Sequence, residues 1–141
     1  MLVDRGGVDG VSVGMPVIVG EGILLGMVDE VYPLSSKVAL VTSTKSAVGG
    51  STVENGAKGI ARGERGLGLL LDLVSQKDTL HAGDSVVTSG VGGNVPSGLL
   101  IGTVENPHES PDRLFQQAGV ITPVDMRDLR FVFFIRNGRA K

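Results

Sequence analysis

Gly83-Asp84-Ser85 sets a hydroxyl beside a carboxylate, and His81 stands four residues ahead of that serine. Serine, histidine and aspartate are the residue types of acyl transfer: an imidazole removes the hydroxyl proton, and a buried carboxylate holds the imidazole in its working tautomer. Gly10-Val11-Ser12-Val13-Gly14 matches G-x-S-x-G literally, the pattern that lifts a nucleophilic serine on a strained turn between strand and helix. Gly90-Val91-Gly92-Gly93-Asn94-Val95 begins as a phosphate-cradling loop does. Asp4-Arg5-Gly6-Gly7-Val8-Asp9-Gly10 superficially resembles a calcium loop in its carboxylates and glycines.

Each of these chemistries lacks a part. Ser12 runs into Met15-Pro16 and a valine-rich stretch, where the elbow needs a helix. Gly83-Asp84-Ser85 is shared with chymotrypsin-like hydrolases, which also fold as two β-barrels, so a hydrolase centred on Ser85, active or degenerate, is the alternative reading. Against it, Val86-Val87 stand where paired glycines are required, and no histidine precedes His81. The glycine run at 90–95 ends in valine with no helix after it, and the chain has no Gly-Lys pair, which excludes a Walker cradle. His81 and His108 are 27 positions apart (108 − 81), and Arg5 and Val8 interrupt the carboxylates of the first ten residues. Neither a metal nor any other cofactor is expected. Cysteine is absent, which removes thiolate chemistry and disulfides.

Charge excludes another class. Thirteen Lys and Arg against fifteen Asp and Glu leave a formal charge of −2, with no like-sign block to displace counterions from a nucleic acid. Lys58, Arg62 and Arg65 form a basic patch that reads as the solvated face of a hairpin. Mean hydropathy is +0.22, yet no apolar run reaches the length of a membrane helix, about 18 residues or more. No secretory leader is legible from Met1, and the chain as given is expected to be soluble.

The elements available to position these residues are strands. Twenty-two glycines and abundant valine favour short pleated runs and many turns. Residues 13–19, 22–31, 36–42, 68–74, 84–90, 98–106 and 130–136 are apolar or alternating runs bounded by Gly, Pro, Asn, Asp or Ser. Asn55-Gly56 predicts a type I′ hairpin, with positive φ at both central residues. Single helical turns are expected after Ser110 and Asp125. The expected fold is all-β: two small barrel or sandwich subdomains of short antiparallel strands with little helix, residues 1–64 and 65–141, open to strand exchange. An internal repeat lays Val13–Ile18 over Ala82–Val87 and Gly22–Val28 over Gly98–Val104, with seven extra residues in the second copy. It aligns Ser85 with Pro16, a position at the start of a strand.

The order Asp4-Arg5-Gly6, Asp9-Gly10-Val11, Gly14-Met15-Pro16-Val17, Gly26-x-Val28, Ser36-Lys37-Val38, Gly59-Ile60-Ala61-Arg62-Gly63, Gly83-Asp84, Thr88-Ser89-Gly90, Pro96-x-Gly98 and Gly102-x-Val104 resembles the rod shape-determining protein MreC family. The likeness runs from about Val3 to Ile135. It implies the extracytoplasmic, two-barrel part of a bitopic bacterial protein whose membrane helix and coiled coil lie outside this chain. It further implies a non-enzymatic scaffold of the elongation machinery that maintains rod shape. Its implied partners are a second copy, an elongation-specific class B penicillin-binding protein, MreD and, through it, the MreB cytoskeleton.

A scaffold needs surfaces, and two are legible. The turn around Val91, Asn94 and Val95 predicts exposed valines on a glycine-rich loop. Residues 130–136 are apolar on both faces, with Phe131, Phe133 and Ile135 on one and Val132 and Phe134 on the other, so Phe134 is the candidate for self-association.

Overall fold

The computed structural model describes residues 1–44, 46–64, 68–91, 95–123 and 132–135. Eleven strands and one 3-10 turn, Gly7–Asp9, make up the regular structure of these residues. The strands are β1 (Leu2–Val3), β2 (Pro16–Val19), β3 (Ile23–Val31), β4 (Ser36–Leu40), β5 (Ala47–Thr52), β6 (Lys58–Gly63), β7 (Leu69–Ser75), β8 (Ser85–Thr88), β9 (Leu100–Glu109), β10 (Phe115–Ile121) and β11 (Phe133–Phe134). The all-β expectation holds.

Strands β5, β6, β7, β10, β9 and β8 pair in that order, and β8 returns to β5, closing a six-stranded antiparallel barrel. Closure removes the unpaired edges that an open sheet would expose. The remaining strands lie in the order β1-β4-β3-β2-β11. A single parallel pairing, Ile23 with Leu100, joins β3 to β9. The junction expected between residues 64 and 65 therefore falls between paired neighbours, because β6 and β7 are hydrogen-bonded from Ile60 with Asp72 to Gly63 with Leu69. Pairing changes instead between β4 and β5, and β11 crosses back from the C-terminal side to pair with β2.

Two cores result. Leu71, Val74, Val86, Ile101, Val104 and Ala118 belong to the barrel interior; Val17, Leu25, Val28 and Val38 fill the smaller one. Adjacent residues on a strand point to opposite faces, so Leu24 enters the barrel core while Leu25 enters the other. Strand β3 is a wall common to both.

The internal repeat has a physical meaning. Val17 lies opposite Gly26, and its counterpart Val86 lies opposite Gly102. Both valines are completely buried. A Cβ on Gly26 would sit 2.2 Å from the Ala39 carbonyl oxygen, and one on Gly102 would sit 2.3 Å from that of Ile121. Each copy thus uses a strand glycine to admit the backbone of the next strand. Gly14 donates to Val28 O at 2.9 Å and Gly83 to Val104 O at 2.8 Å, the same bond in each hairpin.

Other local readings shift. The 55–56 hairpin is present, but only Gly56 has positive φ, 70°; Asn55 does not, so the turn is not type I′. Thr52 closes it instead, with its Oγ1 accepting the Ala57 N–H at 3.0 Å. Strand β10 went unread because Gln116, Gln117 and Gly119 break its apolar pattern. Gln116 Nε2 donates to the Ser75 and Asp78 carbonyls at 2.9 and 2.7 Å. Ser110 starts a hairpin turn, not a helical one, and Asp125 lies outside the described residues.

Candidate functional site

The serine tested as a nucleophile is built into a strand. Ser85 opens β8 opposite Thr103, as Pro16 opens β2 opposite Met27. Its N–H donates to Glu54 Oε1 at 2.9 Å. Asp84, 6% exposed, spends its Oδ2 on the backbone N–H of His81 at 2.9 Å and on Asn55 Nδ2 at 3.4 Å. The aspartate therefore secures the 81–84 turn against the β5–β6 hairpin, and it meets the histidine through the main chain and not the ring. A triad needs the reverse: a carboxylate on the imidazole and the imidazole on the hydroxyl. His108 is exposed on β9 with its Nδ1 2.8 Å from the Asn106 carbonyl. Ser12 sits in an exposed turn whose carbonyl accepts Met15 N–H at 3.2 Å, leading into a strand. Asp9 accepts the Gly6 N–H at 3.0 Å and so caps the 3-10 turn.

The loop after β8 is pinned at its base by Thr88. This side chain, 1% exposed, donates to the Pro96 carbonyl at 2.6 Å and accepts the Leu99 N–H at 2.9 Å. The two valines expected to be exposed differ. Val91 is 71% exposed; Val95 is 9% exposed and anchors the loop in place of presenting itself. Asn94 lies outside the described residues.

The aromatic strand divides in the same way. Val132 and Phe134 pack on the smaller core, whereas Phe133 is 55% exposed. Parity alone left the faces equivalent; pairing of β11 with β2 turned Phe134 inward, so Phe133 is the outward residue. Beside them a groove of about 400 Å³ is lined by Arg5, Asp9, Val11, Met15, Phe133 and Phe134, among others.

One polar network was missed by the sequence reading. Arg62, read as solvated, pairs with the buried Asp72, which also accepts Gln117 Nε2 at 2.9 Å and Leu73 N–H at 2.8 Å. The positive φ of Leu73, 58°, marks the β-bulge that turns Asp72 toward these donors. At the surface, the hydrogen bond to the Glu30 carboxylate, with its charge, holds the Tyr32 phenol above the usual range. Asp112 is held below the usual carboxylate range by the Ser110 hydroxyl and the Leu114 N–H. Neither group lies in an enclosed site, and among the described residues no three His, Asp or Glu side chains gather around a common point for a metal.

What these surfaces offer is contact: a closed barrel, a pinned loop and an aromatic-edged groove. The family model described as "Rod shape-determining protein MreC, barrel core" matches residues 1–136. A cell shape-determining protein MreC from Listeria monocytogenes is 34% identical over 95% of this chain and 47% of its own length. The chain spans less than half the length of the curated relatives it matches. The crystal structure of MreC from Pseudomonas aeruginosa superposes with a TM-score of 0.86 at 31% identity, covering 96% of this chain and 87% of that one. A chain from a complex between the penicillin-binding protein PBP2 and MreC of Helicobacter pylori shares the fold, with a TM-score of 0.69 at 20% identity over 84% of this chain and 74% of that one. With the family model spanning both cores and the strand that joins them, the chain belongs to the rod shape-determining protein MreC family, whose barrel core it carries.

Proposed function

We propose that this chain is the extracytoplasmic barrel region of a membrane-anchored, non-catalytic scaffold of bacterial wall elongation. In this reading it self-associates, binds an elongation-specific class B penicillin-binding protein, and links wall synthesis to MreD and the MreB cytoskeleton. The family match over residues 1–136 carries the reading. The Helicobacter pylori neighbour, solved with PBP2, supports the choice of first partner. The chemistry supports the non-catalytic part of the reading: Asp9 and Asp84 spend their carboxylates on main-chain N–H groups of turns. Val91, exposed in the loop after β8, is the contact we assign to the synthase, with Phe133 and the half-buried Phe134 edging a second surface for self-association.

The test immobilises the extracytoplasmic region of the class B penicillin-binding protein and measures binding of this chain by interferometry. Saturable binding is expected, weakened about tenfold by Val91→Asp with an unchanged melting curve. Absence of binding by the wild type refutes the synthase partnership, and an unaltered affinity in the variant removes the loop from it. Treatment with a fluorophosphonate should leave Ser85 without an adduct; a labelled Ser85 would overturn the non-catalytic reading.

A further inference from the structure

The β3–β4 turn carries an apolar knob. Val8, Tyr32 and Leu34 are 70, 45 and 73% exposed, and Pro33 between the last two is exposed as well. Pro33 and Ser35 are ordinary turn residues, but reversing the chain does not call for Tyr32 or Leu34. Single exposed apolar residues are ordinary, but here they come from two segments that are bonded to each other. Gly7 N–H donates to Tyr32 O at 2.8 Å, Val8 N–H to Pro33 O at 3.1 Å, and Tyr32 N–H to Ser35 O at 2.8 Å. Gly6 approaches so closely that a Cβ would lie 2.1 Å from the Tyr32 carbonyl oxygen. The backbone that carries these side chains is thus fixed before a partner arrives, which lowers the ordering cost of binding.

The surround is acidic. Asp4, Asp9, Asp29 and Glu30 are exposed on these two segments, against Arg5 and Lys37. Four negative and two positive side chains leave −2 (2 − 4), equal to the formal charge of the whole chain. Tyr32 donates its hydroxyl to Glu30, which places a carboxylate at the edge of the apolar surface. The groove beside Phe133 does not complement this knob, because its Arg5 is accompanied by Asp9. A second copy offering that groove therefore brings no net positive charge.

We propose that the Val8–Tyr32–Leu34 knob is a docking surface for a partner protein segment that presents apolar side chains flanked by lysine or arginine. Charge complementarity selects such a segment, and the apolar knob supplies the buried anchor. Tyr32 is the only tyrosine and tryptophan is absent, so intrinsic fluorescence reports on the knob itself.

The probe is a synthetic peptide of alternating leucine and lysine, free of tyrosine and tryptophan, with a glutamate-for-lysine peptide as control. The lysine peptide is expected to change Tyr32 emission saturably and to lose affinity as salt rises, and the glutamate peptide to leave emission unaltered. Val8→Ser combined with Leu34→Ser should weaken the lysine peptide about tenfold; both positions are exposed, and a melting curve verifies the fold. No response to the lysine peptide, or equal affinity in the double variant, overturns the proposal. So does emission that changes with protein concentration alone and loses that dependence in the double variant, which would make a second copy the occupant. If the double variant does not fold, wild-type amide shifts on titration decide: perturbation centred on residues 7–9 and 30–35 supports the knob, and perturbation elsewhere refutes it.

Discussion

At the scale of single residues, buried polar side chains secure turns and loop bases, and Thr88 shows the principle most clearly. Its hydroxyl both donates and accepts, so one buried group serves two main-chain groups at the loop base. Thr88→Val keeps the shape and removes both bonds. The expected cost is about 1–3 kcal/mol, two hydrogen bonds at about 0.5–1.5 kcal/mol each, read from chemical denaturation. An unchanged midpoint would mean that the Pro96 carbonyl and Leu99 N–H find other partners. Asp84 follows the same logic: its neighbourhood was legible as aspartate beside serine, but a tripeptide does not say whether a carboxylate points at a ring or at a main-chain N–H.

At the scale of elements, glycines within strands decide which backbones approach. Gly26 and Gly102 occupy equivalent places in the two hairpins, and in both a neighbouring carbonyl fills the space of the missing Cβ. Gly26→Ala and Gly102→Ala are each expected to cost about 1–3 kcal/mol, since the obstacle is backbone and overpacking of this kind is not relieved by rotamers. Gly7→Ala meets nothing nearer than 3.7 Å and should stay within about 0.5 kcal/mol of wild type. Denaturation midpoints of the three variants check both statements, and equal losses at all three positions would contradict them. The repeat itself was visible in the residues because bulky valine and strand glycine must alternate at fixed offsets. Strand β10 was not, because its glutamines are satisfied by strand β7 and the turn that follows it, which no local window contains.

At the scale of the whole molecule, β3 couples the barrel to the smaller core. Leu24 and Leu25 are neighbours in the chain yet belong to different interiors, and Leu100 N–H donates to Gly22 O at 2.9 Å across the joint. Leu25→Ala, fully buried in the smaller core, is expected to cost about 2–5 kcal/mol and to destabilise both cores together. Tyr32 fluorescence reports the β3–β4 turn of the smaller sheet and far-UV circular dichroism is dominated by the barrel strands, so their denaturation curves should coincide in wild type and variant. Curves that separate would show that the common strand does not make the two cores one cooperative unit.

Strand content, turn positions, the doubled hairpin and the missing parts of each catalytic motif were set by the sequence alone, because these depend on side-chain period, backbone freedom and residue inventory. Tertiary structure decided the rest: that β6 and β7 are paired neighbours in one barrel, that Phe134 faces in and Phe133 out, that Val95 is an anchor, and that Arg62 serves the buried Asp72. Each of these depends on which distant strand supplies the neighbour, and pairing partners are chosen by the fit of whole faces across the barrel, which no short stretch of residues encodes.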